Sequence, residues 1–271
     1  MSKQKMLGIP YLLWSFIFIL IPLGMIFYYG LTDKNGAFTL ENVIAITLPE
    51  HGKALWIALL LSLISTVLCL LIAYPLAMIL CQMKKGSHSI IVLIFILPMW
   101  MNFLLRTLAW QTLLEKTGVI NNILEVLHLP SLDIINTPYA IILGMVYNFL
   151  PFMVLPIYNS LAKIDQSVVN AARDLGADGL QVFIKITLPL TLPGIISGIT
   201  MVFVPALTTF VISKLLGGSK ILLIGNVIEE EFTHTNNWHL GSGLSIVLMV
   251  FIIVNMIISA LFDKEGEGSV L

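Results

Sequence analysis

At 271 residues, with 58% hydrophobic and only 11% charged side chains, the chain lies far outside the composition of soluble globular proteins and reads as an integral membrane protein. Its formal net charge of −1 comes without any run of Lys and Arg able to neutralise phosphates, which excludes nucleic acid as a partner. Cys69 and Cys81 share one apolar run, where a thiol behaves as a small hydrophobe. The histidines show no metal-ligand spacing, and His234 and His239 fall in a polar loop whose default is solvation, so neither metal nor cofactor is expected.

Six stretches, at about 10–31, 54–82, 90–111, 138–160, 188–212 and 241–262, supply the roughly 20 apolar residues needed to cross the hydrocarbon core. The expectation is an all-α integral membrane protein, a single transmembrane domain over 1–271 with six spans. Met1-Ser-Lys-Gln-Lys precedes the first, whose apolar part is too long for a signal peptide and lacks a small-residue cleavage site, so it is read as a retained span. With both termini cytoplasmic, the inner segments carry Lys3, Lys5, Lys84, Lys85, Lys163, Arg173, Lys185 and Lys264, against Lys34, Lys53, Lys116, Lys214 and Lys220 outside. The outer face then holds Asp33, Glu41, Glu50, Glu115, Glu125, Asp133 and Glu229-Glu230-Glu231, and is net acidic.

Pro22, Pro75, Pro98, Pro151, Pro156, Pro193 and Pro205 interrupt spans. They fit either kinked, packed helices or a broken helix lining a pathway. In the outer loop 112–137, Val119, Ile120, Ile123, Leu124 and Leu127 recur at helical spacing, which predicts a short amphipathic helix closed off by Pro130.

The stretch 161–187 is the longest inner loop and reads as two short helices. Asp165 or Ser167 can cap the first, Gly176 can supply a left-handed stop, and Asp178 can cap the second before Pro189 opens the fifth span. Ala171 and Ala172 leave one side nearly bare, with Val168, Val169 and Leu175 as apolar contacts, which suits close approach by another protein. The plainer alternative is an interfacial helix lying on the membrane, which few basic residues and a small apolar face disfavour.

Asn170, Ala171, Ala172, Gly176, Ile186, Leu188 and Pro189 stand at the offsets of Glu-Ala-Ala, three residues, Gly, nine residues, Ile-x-Leu-Pro, with Asn in place of the usual Glu. This resembles the coupling motif of ABC-importer permeases. LLRTLAWQTLL at 104–114, GVINNIL at 118–124, YNFLPFMVLPIYNSLAKID at 147–165 and GGSKILLIGN at 217–226 look like segments of the spermidine/putrescine permeases. The resemblance implies a type I importer permease fold in the cytoplasmic membrane of a prokaryote and a non-catalytic subunit. It implies a cytoplasmic ATPase dimer, a second homologous permease and an extracytoplasmic substrate-binding protein as partners. The docking role falls on a helix at about 165–178, through Asn170, Ala171, Ala172, Arg173, Asp174 and Gly176. Permeases for thiamine, ferric iron and sulfate share this architecture, so the solute stays open between these and polyamines.

A polycation crossing a low-dielectric span needs carboxylates, aromatic faces or carbonyl oxygens to replace its water. No Asp or Glu falls mid-span, so acids would come from the second permease, while Trp100, Trp110, Tyr147, Asn148 and Tyr158 could offer aromatic and polar contacts. Packing or interfacial anchoring is the other reading of those aromatics. Arg106, near the outer end of the third span, is expected to snorkel or pair with a carboxylate, and Lys214 counts against a cationic solute. No phosphate-binding loop, nucleophile-base pair or intramembrane carboxylate pair is present, so energy has to come from a partner. A self-sufficient secondary carrier or channel is the rival reading.

Overall fold

The computed structural model describes residues 9–83, 97 and 99–268, with the side chains of 9, 219 and 262–268 outside the description. Among the described residues the single β pairing is the isolated bridge between Thr32 and Phe38, and everything else regular is helical. Among the described residues five helices are long and apolar enough to cross a membrane: Pro10–Gly30, Pro49–Gln82, Pro138–Leu161, Gly179–Thr208 and Trp238–Leu261. The expected span 90–111 falls partly outside the described residues, as do Lys3, Lys5, Lys84, Lys85 and Pro98. Its described end belongs to α5, Phe103–Leu114, whose first turn is fixed by Asn102 Oδ1 accepting from the Leu104 and Leu105 amides at 2.8 and 3.3 Å.

The chain begins with α1 (Ile9–Ser15), passes through a π-helical turn at Phe16–Leu20 and continues as α2 (Ile21–Gly30). After the short α3 (Glu41–Ile44) comes α4 (Pro49–Gln82), which starts five residues before the expected 54 because Pro49, lacking an N–H, suits a first turn. The predicted amphipathic helix is α6 (Val119–Val126), closed by His128 in a left-handed conformation two residues before Pro130. Then follow α7 (Pro138–Leu161), α8 (Gln166–Asp174), α9 (Gly179–Val182), α10 (Leu188–Thr208), α11 (Val211–Leu216), α12 (Ile224–Thr233) and α13 (Trp238–Gly268).

Both ends of the fifth span also differ from the sequence expectation. The second inner-loop helix is not separate from the fifth span: α9 runs through a π-helical turn at Phe183–Thr187 straight into α10. The widened turn sits just before Pro189, whose missing N–H leaves a carbonyl one turn back without its usual donor. At the other end the span stops at Thr208, four residues before the expected 212, and Thr209 is extended (ψ 137°). Just past the break the Phe210 carbonyl accepts locally from the Lys214 amide and Ser213 Oγ, both at 3.0 Å, and from a distance from Asn226 Nδ2 at 2.9 Å.

The core is built where α4, α7 and α10 pack on one another. In lipid no hydrophobic force drives helices together, so close van der Waals packing by small residues carries the association. Ala58, Ala73 and Ala77 are wholly buried, and a Cβ on Gly198 would sit 2.7 Å from Met153 Sδ. One polar clasp adds direction to this packing, Tyr74 Oη to Thr191 Oγ1 at 2.9 Å. Pro75, Pro151, Pro156, Pro193 and Pro205 all lie inside helices that continue past them. The first span packs against α13 at one end, where Gly30 meets Ser242 and Gly243, and leaves most of its apolar side chains exposed.

Candidate functional site

The hairpin between α7 and α10 folds through local chemistry alone. Asp165 Oδ1 accepts from the Ser167 amide at 2.9 Å, and this backbone hydrogen bond holds the carboxyl below the ordinary carboxylate range. Gly176 adopts φ +89°, which glycine takes without a Cβ penalty, so that the Ala177 amide reaches the Ala172 carbonyl (3.0 Å) and the Gly176 amide reaches Arg173 (2.9 Å). Asp178 then opens the next helix in a capping box: its Oδ1 accepts from the Gln181 amide (2.7 Å), and Gln181 Oε1 accepts from the Asp178 amide (3.2 Å).

The outcome is a rigid helix with a bare face. Val168, Ala171, Ala172 and Leu175 recur at three- and four-residue steps on one side, and Leu175 is 89% exposed. Asn170 is exposed, its Oδ1 accepting from Gln166 Nε2 at 3.5 Å, and Asp174 is exposed beside it. Arg173 turns the other way, lining with Val169, Cys81, Gln82 and Tyr158 a cavity of about 770 Å³ between the hairpin and the ends of α4 and α7. The depressed Asp165 pKa gives a directional prediction. The cap is present above the unfolded value of 3.8 and is lost as pH falls through the lower folded value, so amide exchange in 166–174 should accelerate there in the native chain and not in an Asp165→Asn variant, read by mass spectrometry.

Among the aromatic residues, Trp110 and Tyr147 come together edge to face at 5.1 Å between ring centroids. Arg106, one turn before Trp110 on α5, does not snorkel. It is 6% exposed, with its guanidinium 5.8 Å from the centre of the Tyr147 ring, because α5 packs against α7 and covers it. Asn148 is buried and donates to the Gly144 carbonyl at 2.8 Å, while its Oδ1 has no hydrogen-bond partner among the described residues. Trp100 differs from the pair in being 77% exposed, and Tyr158 lines the cavity by the hairpin instead.

Sequence reasoning missed the polar work at the far end of the bundle. Lys214 Nζ reaches both Glu229 oxygens at 3.3 Å, which offsets the positive charge that counted against a cationic solute. Asn226 ties α11 to α12, accepting from Ser213 Oγ and the Leu223 amide while donating to Phe210. A lone Asn in an otherwise apolar run, Ile221-Leu222-Leu223-Ile224-Gly225-Asn226, is the sequence signal for such a staple.

A bundle of long apolar helices that projects one capped, solvent-exposed hairpin has the architecture of a membrane permease. The chain belongs to the family of binding-protein-dependent transport system inner membrane components, whose pattern it matches over residues 5–265. It is 38% identical over 246 residues to the spermidine/putrescine transport system permease protein PotB of Haemophilus influenzae, covering 88% of this chain and 86% of that protein. To the protein of the same name from Escherichia coli K12 it is 37% identical over 267 residues, 94% of this chain and 97% of that one. Among solved structures, a chain of a bacterial alginate ABC transporter in complex with a periplasmic protein superimposes with a TM-score of 0.79 at 18% identity, covering 94% and 92% of the two chains. The protein is thus a permease subunit of an ABC transport system in the inner membrane, and its relatives are transport subunits rather than enzymes.

Proposed function

We propose that the chain is one of two membrane subunits of an ATP-driven importer of polyamines, spermidine or putrescine. The observation that carries the substrate is the similarity to spermidine/putrescine permeases over nearly the whole length of both proteins. The geometry supports it: Trp110 and Tyr147 lie edge to face, and the Tyr147 ring already faces one cation, the Arg106 guanidinium. A second permease completes the pathway and supplies further acidic groups. A binding protein delivers the solute outside, and a cytoplasmic ATPase dimer docks on the Asn170–Gly176 face. Because α9, the π turn and α10 form one continuous helix, ATPase closure moves the fifth span directly and alternates access between the two sides.

The reading is tested by ATP hydrolysis in the reconstituted complex with its binding protein. Spermidine or putrescine should stimulate it, and thiamine, sulfate and ferric iron should not; stimulation by one of the latter alone rejects the substrate and leaves the importer standing. The orientation that goes with this mechanism puts the hairpin and both termini in the cytoplasm. In a chain whose own cysteines are replaced, a cysteine at the exposed Asn35 or Ser131 should react with an impermeant thiol reagent from outside, and one at Gln166 should not. The reverse pattern overturns the orientation.

A further inference from the structure

We propose that Glu229, beside a cavity it shares with Phe210 and Phe232, is an alkylammonium-binding site at the outer end of the permease, and that Lys214 neutralises it in cis until a solute ammonium takes its place. The natural ligand follows from the polyamine reading above; the chemistry of the site does not depend on it. Glu229 is the one charged residue lining a cavity of about 430 Å³, otherwise walled by Thr208, Phe210 and Phe232 and, from α13, by Leu248 and Ile252, so its side chain borders a mostly apolar space with two aromatic rings. That combination is complementary to an ammonium group on a methylene chain, whose charge pairs with the carboxylate while its carbons cover the rings. The Lys214 side chain is itself an ammonium on a methylene chain; it is not part of the cavity wall and is seated on both carboxylate oxygens at 3.3 Å.

Exchange at this position is cheap. The Lys214 side chain is 56% exposed and can return to water, whereas Glu229 is 22% exposed and stays in the wall. Two ammonium groups on one carboxylate repel each other, so solute replaces Lys214 rather than joining it. Glu230 and Glu231 follow on the same helix and draw cations toward the site. The site is also tied to the end of the fifth span. Gly225 lies so close to the break that a Cβ there would sit 2.7 Å from the Thr208 carbonyl oxygen, and Asn226, three residues before Glu229 on the same helix, holds the Phe210 carbonyl, so Phe210 and Glu229 move together with the end of α10.

The test is calorimetric titration of the intact transporter in nanodiscs, without binding protein, using spermidine and n-butylammonium as probes. Lys214→Met should tighten binding of both by about fivefold, the scale of one exposed ion pair. Glu229→Gln should weaken it by about tenfold, alone and combined with Lys214→Met, the scale of one charge-assisted hydrogen bond. Where Glu229→Gln fails to assemble, Glu229→Asp with Lys214→Met takes its place and should bind more weakly than Lys214→Met alone. Unchanged binding in Glu229→Gln overturns the site, as does weaker binding in Lys214→Met, which would make the pair a structural brace. If spermidine fails to stimulate ATP hydrolysis while n-butylammonium still follows this order, the polyamine reading falls and the site stands.

Discussion

Replacing Ala172 by Asp should leave the chain folded and inserted yet strip the ATPase from the complex. Ala172 lies half-buried on the hairpin helix between Val168 and Leu175, where a small side chain lets a partner backbone come close. The hairpin's own fold does not depend on that side chain, since its caps come from Asp165, Gly176 and Asp178. A carboxylate at 172 would therefore be tolerated in the free chain and penalised only in the docked one. A charge buried in an interface without a partner costs about 3–5 kcal/mol, which weakens association more than a hundredfold. Copurification of the ATPase from detergent and spermidine uptake by membrane vesicles both read this out. Survival of both would show that this face is not where the ATPase docks.

A second large effect is expected at Gly194, where α10 crosses α7. A Cβ there would lie 2.6 Å from the Pro156 carbonyl oxygen and 2.8 Å from Ser160 Cβ, neither of which can move without moving its helix. Gly194→Val should therefore separate the two central helices, at the upper end of the roughly 1–3 kcal/mol typical of overpacked cores. In thermal unfolding followed by size-exclusion chromatography it should lower the midpoint by about 5 °C or more. Gly24→Ala is the matched control, since nothing lies within 4 Å of the position a Cβ would take there, and it should unfold like the native chain.

These two sites also mark how much the sequence discloses. Asp165, Gly176 and Asp178 were legible as caps and a stop because capping is settled within three residues, by side chains that compete for the nearest amides. The apolar runs gave the long helices for the same reason, since crossing a bilayer is a property of one segment. The end of the fifth span was not legible. Its run stays apolar across the break, and one of the groups that secure the break comes from elsewhere, Asn226 lying 16 residues beyond Phe210. Lys214 and Glu229 stand 15 residues apart and meet only because the chain turns there. Arg106 looked free to reach water until α7 was packed over it, and burial of that kind exists only in the assembled bundle.

The π-helical turn at Phe183–Thr187 bears on why the hairpin and the membrane must be a fixed number of residues apart. Tyr74 grips this turn, its ring lying edge to face with Phe183 at 5.6 Å while its hydroxyl bonds Thr191, so the inner end of the helix cannot slip freely along the core. The link from Gly179 to Thr208 then behaves as a shaft keyed at one point, and its length is an angular setting. Each residue removed or added between Gly176 and Tyr74's contact would turn the Ala171–Ala172 face by about 100° around the helix axis and advance it by about 1.5 Å. Two such changes would turn that face nearly opposite to its present direction, with every side chain on it unchanged.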